Sequence, residues 1–373
     1  MKIGVPKETR SGEKRVAATP GSIKRLTGKI QGLKFQIESG AGEGSHFPDS
    51  AYTEVGAEIV DRKTAFAGDI VLKVHRPTEV EISLMSKGAV LVSFIEPFKD
   101  DGIIEKLAQA GIEAFGLELI PRISRAQSMD ALSSQANIAG YRAVIEAANH
   151  YGRFFPTMMT AAGSAKPAKV IILGVGVAGL QAIATAKRLG ANVEAFDVRP
   201  EVKEQVQSLG AKFIEIDIGE DGSGAGGYAK ELSEEAKARQ QAGLTEKIKK
   251  ADIVITTALI PGRPAPLLVT EEAVKGMTPG SVIVDLAAAN GGNCPLTEAD
   301  KTVVKHGVTL IGNTNLLALM PSDASDFYAR NLINLLMLLI KAEDPPALNI
   351  DLEDEIVVGA LVTHEGQVRF KKK

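Results

Sequence analysis

Three glycines at fixed spacing form the pattern in this chain that most clearly predicts chemistry. Gly174, Gly176 and Gly179 form the motif Gly-Val-Gly-Val-Ala-Gly, between the apolar run Val170–Leu173 and the helical pattern Leu180–Leu189. In a strand–turn–helix of this kind, the first glycine permits the tight turn and the second lets a pyrophosphate approach the backbone. The third lets the helix pack closely on the strand. Because the free N–H groups of the helix N-terminus bind phosphate, the motif predicts a dinucleotide site.

An acidic residue with suitable spacing follows the motif. Asp197 ends the apolar run Asn192–Phe196. A carboxylate there accepts both hydroxyls of the adenosine ribose and repels a 2′-phosphate, which favours NAD(H) over NADP(H). Arg199 argues the other way, since a nearby arginine is one means of accepting that phosphate. We favour NAD(H), because Asp197 holds the strand-end position. A glycine turn with an incidental acid is the structural alternative.

A second polar cluster occupies the segment Pro121–Gln135, which leads into a long predicted helix at Ser133–Tyr151. Two arginines, two amides, an acid and several hydroxyls lie within it. Helix capping by Ser128 or Asp130, with solvated arginines, is a structural interpretation. We favour ligand binding, because the segment is predicted to lie between two domains, where ligands commonly bind.

Other parts of the sequence offer weaker signals. The loop Leu259–Pro266 follows the predicted strand Ile253–Thr256, and such loops face the cofactor, although its three prolines favour a structural function. The five histidines lack metal-ligand spacing, and neither a serine-nucleophile elbow nor a P-loop occurs. We therefore predict no metal site. Gly219–Gly227 holds five glycines and precedes Tyr228, which predicts a mobile loop.

The elements that must position these residues follow a regular pattern. Short apolar runs alternate with helical stretches, which predicts parallel sheets covered on both faces and an α/β fold. The runs fall into two groups, so we expect two Rossmann-like domains, separated by a cleft and linked by long helices. The predicted strands are Lys2–Val5, Lys34–Glu38, Ile70–Lys73, Val90–Phe94, Glu113–Gly116, Val170–Leu173, Asn192–Phe196, Ile253–Thr256, Val282–Asp285 and Thr309–Ile311.

The tail of the chain is expected to return to the first domain. Asp351–Val357 and Leu361–Val368 alternate in hydropathy as in a closing hairpin. A helix at Asp323–Lys341 precedes them, and its apolar residues serve either a subunit interface or a core. The predicted domains are therefore 1–132 with 321–373, and 133–320, the latter binding NAD(H).

The composition excludes several classes of protein. The 373 residues are 45% hydrophobic and 24% charged, which argues against disorder. A net charge of −3 gives no electrostatic basis for binding nucleic acid or an anionic membrane. The N-terminus lacks the apolar core of a signal peptide, and Leu335–Ile340 is far shorter than the roughly 20 residues of a membrane-spanning helix. The single cysteine, Cys294, fits a reducing compartment.

Six segments give the chain a specific resemblance. Over essentially its whole length it resembles the NAD(H)-binding components (domain I, the first portion of the alpha subunit) of proton-translocating transhydrogenases, within the alanine dehydrogenase/transhydrogenase superfamily. The matching segments are Arg122–Gln135, Gly174–Gly190 (GVGVAGLQAIATAKRLG), Asp197–Arg199, Gly226–Lys230, Thr256–Pro264 and Asp285–Pro295.

The resemblance implies an enzyme subunit that is incomplete alone. Such a component binds NADH and passes a hydride to NADP⁺ on a separate NADP(H)-binding component, while a membrane component couples the transfer to proton movement. The family implies a homodimer, located in the cytoplasm and peripheral on the cytoplasmic side of the inner membrane through its partner subunits. Direct hydride transfer needs no general acid or base, which agrees with the absence of a histidine motif.

Residue roles carry over from the family where the residues match. The resemblance implies that the residues on the nicotinamide side of the cofactor are Arg122, Gln127, Ser128, Met129, Asp130 and Ser133. Of these, Arg122, Gln127, Asp130 and Ser133 are the implied catalytic residues, whereas Ser128 and Met129 only bind the cofactor. Gln127 would also reach the partner's NADP(H). The adenosine side and the lining of the site are implied at Val177, Asp197, Val198, Arg199, Gly227 and Leu259, with Tyr228 at the tip of a closing loop.

Two alternatives remain. Alanine dehydrogenase shares this fold, and Arg15 and Lys73 match its substrate-binding positions. Its catalytic histidine has no counterpart around Ile95–Glu96, and its aspartate is replaced within Ala287–Gly292. Arg15 and Lys73 are then structural or ancestral. A non-enzymatic NAD sensor is the other alternative, against which the crowded segment Arg122–Gln135 argues.

Overall fold

The chain forms two compact units. The computed structural model describes residues 1–99, 101–217, 219, 232–260 and 262–371. The first unit comprises Met1–Gln135 and Leu317–Lys373, and the second comprises Ala136–Leu316. Each unit has its own central sheet and its own hydrophobic cores. The chain therefore leaves the first unit to build the second and then returns to complete the first.

The described residues form the following regular elements. The strands are β1 (Lys2–Val5), β2 (Lys34–Glu38), β3 (Glu58–Val60), β4 (Ile70–Leu72), β5 (Val90–Ser93), β6 (Glu113–Gly116), β7 (Met158–Thr160), β8 (Gly163–Ala165), β9 (Lys169–Leu173), β10 (Asn192–Phe196), β11 (Lys212–Phe213), β12 (Ile253–Thr256), β13 (Val282–Asp285), β14 (Thr302–Lys305), β15 (Val308–Ile311), β16 (Ile340–Lys341), β17 (Ala347–Leu348), β18 (Leu361–His364) and β19 (Gln367–Val368). The α-helices are α1 (Pro20–Thr27), α2 (Asp49–Thr53), α3 (Arg62–Phe66), α4 (Glu79–Ser83), α5 (Ile103–Gln109), α6 (Ala131–His150), α7 (Val177–Arg188), α8 (Lys203–Ser208), α9 (Glu234–Ile248), α10 (Glu271–Lys275), α11 (Pro321–Leu339) and α12 (Glu355–Ala360).

The first unit is built on a sheet with strand order β19-β18-β6-β5-β4-β1-β2-β3. Strands β1 to β6 pair in parallel, whereas β18 and β19 extend one edge in antiparallel orientation. Both faces are covered: Ile70 and Leu72 of β4 lie in one core, and Val71 between them lies in another. Fully buried strands of this kind read as continuous apolar runs, which is why the sequence predicted them.

Helix α11 packs its apolar residues into the first unit. Tyr328, Leu332, Leu335 and Leu336 are buried with the residues of β1 and β2 in the main core of that unit. The sequence left open whether this helix forms a subunit interface or a core, and the structure shows that it forms part of the core. Because α11 follows the second unit in the chain, the core of the first unit depends on residues from both ends of the sequence.

The second unit is built on a sheet with strand order β11-β10-β9-β12-β13-β15-β14. All its neighbours pair in parallel except β14 and β15. Val170 and Ile172 of β9 face one core while Ile171 and Leu173 face the other. After β9 the chain moves outward to β10 and β11, and it then crosses back to place β12 on the opposite side of β9. Ligands bind at such a reversal of strand order, outside the carboxyl ends of the strands.

The predicted α/β class with parallel, Rossmann-like sheets is confirmed, but the prediction for the tail was partly wrong. Within Asp351–Val357 the structure has no strand; helix α12 begins there, because the side chain of Asp354 accepts from the N–H groups of Ile356 and Val357. The hairpin forms within Leu361–Val368 alone, as β18 and β19. Its two turn residues, Glu365 and Gly366, have φ of 49° and 76°, as a two-residue type I′ turn requires.

No helix within the described ranges is both long enough and apolar enough to span a lipid bilayer.

Candidate dinucleotide site

The glycine turn of the second unit connects β9 to α7. Gly174 has φ of +94°, and a Cβ there would lie 2.7 Å from Oγ1 of Thr257. A Cβ at Gly179 would lie 2.0 Å from the carbonyl oxygen of Gly174. At Gly176, which has φ of −83°, a Cβ would meet no described atom within 4 Å. Packing thus requires glycine at two of these positions, and the space above Gly176 is open to a ligand.

The N-terminus of α7 starts at this turn. Gly176 is the N-cap, and no side chain among the described residues forms a capping hydrogen bond there. The first N–H groups of a helix and the positive end of its dipole attract phosphate. Val177, the first residue of the helix, is 38% exposed. The turn can therefore bind a pyrophosphate through its backbone alone.

Asp197 and Arg199 form a buried ion pair at the end of β10. Oδ1 of Asp197 accepts from Nε of Arg199 at 2.8 Å, and Oδ2 accepts from Nη2 at 2.7 Å. Backbone groups add to this: the N–H of Arg199 donates to Oδ1 at 2.9 Å and the N–H of Val175 donates to Oδ2 at 2.7 Å. The hydrogen bonds to Asp197 raise the pKa of Arg199, which keeps the guanidinium charged. Val198, between them, is half-buried.

The loop after β12 is held by residues whose role the sequence did not predict. Oγ1 of Thr257 donates to the carbonyl oxygen of Gly174 at 2.9 Å and so ties this loop to the glycine turn. The buried Asn293 donates through Nδ2 to the carbonyl oxygens of Ala258 and Pro266, at 3.0 and 2.8 Å. Leu259, on the same loop, is 40% exposed. The loop is thus braced beside the turn, with one apolar side chain accessible.

Asp285 in turn fixes the segment that carries Asn293. Its Oδ1 accepts from Oγ1 of Thr256 at 2.9 Å, and its Oδ2 accepts from the N–H groups of Asn293 and Cys294 at 2.8 and 3.1 Å. Burial beside this carboxylate raises the pKa of Cys294, which leaves the thiol neutral. Asp285 and Asn293 lie in a segment that carries the family resemblance, but no local pattern indicated their bracing role.

In the first unit, the polar segment before α6 divides into anchoring and exposed residues. Asp130 caps the helix: its Oδ1 accepts from the N–H of Ser133 at 2.8 Å, and Oγ of Ser133 donates to Oδ2 at 2.6 Å. Nδ2 groups of Asn331 and Asn334 on α11 each donate to the carbonyl oxygen of Ser128 at 2.9 Å. Of the two residues proposed as helix caps, Asp130 is therefore the one that caps α6. The hydrogen bonds to Ser128 fix the segment to α11.

The side chains that remain accessible in this segment are few. Arg122, Gln127 and Ser128 are exposed, whereas Met129 is 6% exposed and lies in the main core. Arg125 is not simply solvated, because its guanidinium pairs with the carboxylate of Asp354 at 2.7 and 3.0 Å. The exposed residues of this segment, which also include Ser124, therefore present guanidinium, amide and hydroxyl groups at the surface.

Arg15 and Lys73 are buried and paired with carboxylates. Arg15 forms a two-pronged contact with Glu13, through Nε to Oε1 at 2.9 Å and Nη2 to Oε2 at 2.7 Å. Nζ of Lys73 lies 3.2 Å from Glu8 and 3.4 Å from Glu81. Both cations are therefore neutralised by the protein itself, which fits the structural interpretation made from the sequence.

Glu118 is a buried carboxyl group of the first unit. Its Oε1 accepts from the N–H groups of Ile95 and Glu96, at 2.8 and 2.5 Å, while Oε2 has no hydrogen-bond partner within the described structure. Burial raises the pKa of Glu118 to about 7, against the lowering effect of these hydrogen bonds. The group therefore titrates near neutral pH, and sequence reasoning missed it because a single glutamate gives no local signal.

Two predicted site residues, Gly227 and Tyr228, lie outside the described residues, as does most of the glycine-rich segment Gly219–Gly227. The structure therefore offers no test of the predicted loop. The other predicted residues separate into a second-unit group around the glycine turn and a first-unit group before α6.

Comparison with protein families gives matches over almost the whole chain. Residues 4–139 match the model of the alanine dehydrogenase/PNT N-terminal domain, and residues 143–371 match that of the C-terminal domain. The chain is 50% identical to the first portion of the NAD(P) transhydrogenase subunit alpha of Rhodospirillum rubrum, covering 99% of this chain and 97% of that protein. It is 31% identical to the alanine dehydrogenase of Bacillus subtilis, covering 87% and 82% respectively.

A solved structure agrees with these matches. The transhydrogenase from Sinorhizobium meliloti superposes with a TM-score of 0.85 at 44% identity, covering 99% of this chain and 98% of the other. The similarity to transhydrogenases is thus higher in identity than that to the Bacillus alanine dehydrogenase, and it extends over both units.

Proposed function

Because the chain belongs to the alanine dehydrogenase/PNT family over both of its units, we propose that it is the NAD(H)-binding alpha subunit of an NAD(P) transhydrogenase. The observation that carries the proposal is the 50% identity, over 99% of the chain, to the transhydrogenase subunit of Rhodospirillum rubrum. The reaction is hydride transfer from NADH to NADP⁺ held on a separate NADP(H)-binding component. A membrane component couples the transfer to proton translocation.

The second unit supplies contacts suited to the adenosine half of NADH. The space above Gly176, which no described atom fills, and the N-terminus of α7, which no described side chain caps, fit a pyrophosphate. Asp197 lies at the strand end where a ribose diol binds, and Val177 and Leu259 offer exposed apolar surface for an adenine. We assign Val198 and Arg199 to the same subsite.

The first unit supplies the residues that we assign to the nicotinamide half. Gln127, Arg122, Asp130 and Ser133 are the proposed catalytic set, and Ser128 and Met129 complete the segment. The hydrogen bonds from Ser133 to Asp130, and from α11 to Ser128, hold the segment in one conformation. Since a hydride passes directly between two rings, these residues act by orienting and by excluding water, with no proton to transfer.

We also propose the assembly that the function needs. The chain acts as a homodimer and meets the NADP(H)-binding component through the exposed surface at Gln127. Its partners place it on the cytoplasmic face of the inner membrane.

Stopped-flow mixing tests the proposal. The chain is mixed with an NADP(H)-binding component, NADPH and an absorbance-shifted NAD analogue, and a burst of hydride transfer is expected. Gln127→Asn should abolish the burst, whereas Gln109→Asn, an equal change at an exposed site on α5, should leave it intact. Bound NADH without any burst would contradict the proposed role.

The alanine dehydrogenase alternative is tested in the same samples. Turnover of pyruvate and ammonia with NADH by this chain alone would favour it. We expect none, because Arg15 and Lys73 are already paired with Glu13, Glu8 and Glu81.

A further inference from the structure

The carboxylate of Asp197 already accepts four hydrogen bonds. Two come from the guanidinium of Arg199, at 2.8 and 2.7 Å, and two come from the backbone N–H groups of Arg199 and Val175, at 2.9 and 2.7 Å. A carboxylate offers about four lone-pair positions, so all of them are in use. The hydroxyl pair of an adenosine ribose can bind this carboxylate only if two of those donors leave.

The donors differ in their freedom to leave. The N–H of Val175 belongs to the glycine turn, and the N–H of Arg199 is fixed two residues from the carboxylate it contacts. The guanidinium ends a flexible side chain, so it is the group that can move. Its Nε–H and Nη2–H groups are two adjacent hydrogen-bond donors. The 2′- and 3′-hydroxyls of a ribose are also two adjacent donors, so they can take the same two positions on the carboxylate.

We propose that the guanidinium of Arg199 is an internal competitor for the ribose subsite: it occupies the two positions of Asp197 that the adenosine diol requires, and nucleotide binding displaces it. This inference rests on the proposed function, since it takes NAD(H) as the ligand. The intrinsic contact between Asp197 and the diol is then stronger than its net contribution to NAD(H) binding, because displacing the guanidinium offsets part of it.

A second carboxylate, that of Glu201, also attracts the guanidinium of Arg199. Glu201, two residues further on, is exposed, and its charge adds to that of Asp197 in raising the pKa of Arg199. The cation therefore moves from one carboxylate towards another instead of losing its counter-charge. This lowers the free-energy cost of displacing the guanidinium.

Binding of AMP and of 2′,3′-dideoxy-AMP tests the proposal, because the two probes differ only in the diol. In Arg199→Met, which keeps a long side chain without donors, the ratio of the two affinities should rise about tenfold in favour of AMP. Arg199→Lys, which cannot form the bidentate contact with Asp197, should give an intermediate rise in this ratio. A ratio that falls or stays constant in both folded variants would overturn the inference.

Three controls make the result specific. Lys203→Ala removes a positive charge that lies close by in sequence but pairs with Glu215. The ratio of AMP to dideoxy-AMP affinity should therefore not change. A rise equal to that in Arg199→Met would overturn the inference. Thermal unfolding checks that each variant is folded. If Arg199→Met does not fold, the affinity ratio in Arg199→Lys tests the inference. Binding of neither NADH nor AMP to the unmodified chain would contradict the proposed function, whereas normal binding with a falling ratio contradicts this inference alone.

Discussion

Gly176 and Gly179 lie in the same turn, but different neighbours constrain them. A Cβ at Gly179 would meet the carbonyl oxygen of Gly174 at 2.0 Å, whereas one at Gly176 would meet no described atom within 4 Å. Gly179→Ala should therefore destabilise the protein by about 1–3 kcal/mol or more, through forced separation of helix and strand. Gly176→Ala should leave the melting temperature unchanged and weaken NADH binding at least about tenfold. Calorimetry measures the stability of each variant and NADH titration measures its affinity. Equal losses of stability in the two variants would contradict the different roles assigned to the two glycines.

Glu118 should give the folding stability a pH dependence near neutrality. Its folded-state pKa of about 7 lies above the ordinary 4.5. Its contribution is thus fully present below about pH 4.5 and is lost as the pH rises through 7. Relative to Glu118→Gln, the wild-type protein should lose about 3 kcal/mol of unfolding free energy over that range. Denaturant titrations at several pH values measure the difference, and a constant difference would contradict the buried titration.

The sequence predicted residues whose function depends on local spacing and missed those that depend on distant partners. The glycine turn and Asp197 follow a pattern within about 25 residues. One of the two carboxylates that pair with Lys73, that of Glu8, is 65 residues away along the chain, and no local pattern indicates it. The pairing of Asp197 with Arg199 was also missed, because both residues were assigned to the ligand and not to each other.

At the scale of single elements, α12 shows how a cap determines local structure. Asp354 caps this helix and also pairs with Arg125, which lowers its pKa to about 2. Asp354→Ala should cost about 1–2 kcal/mol, more than Asp61→Ala, which removes the exposed cap of α3. The advantage of Asp354 is present above its ordinary pKa of 3.8 and is lost as the pH falls towards 2. Urea unfolding at pH 7 compares the variants, and equal costs would show that Arg125 adds nothing.

The accuracy of the predicted elements varied with their burial. Strands β12 and β13 were predicted to the residue, because a strand buried on both faces reads as an apolar run between turn residues. The tail was wrong where α12 forms, because alternation over seven residues is a weaker signal than the hydrogen bonds of Asp354. The exposed strands β7 and β8 were missed, since three residues each are too few to show a hydropathy pattern.

At the scale of the whole molecule, the two units should differ in their ability to fold alone. The fragment 136–316 contains complete cores and the glycine turn, so it should fold and bind ADP-ribose. The fragment 1–135 lacks α11 and β18, whose residues complete the cores of the first unit, so it should not form a cooperative fold. Circular dichroism and thermal melts distinguish the two. A cooperative transition in the fragment 1–135 would contradict this view.

The split first unit also affects synthesis on the ribosome. Strands β1 to β6 emerge early, but β18, which pairs with β6 at the edge of their sheet, leaves the exit tunnel only after the entire second unit has been translated. At ordinary elongation rates this interval is roughly 12–50 s. Throughout it, the nascent chain presents an open strand edge and an uncovered apolar face, both of which invite aggregation. Production of this protein should therefore depend on chaperones that protect the N-terminal segment until translation ends.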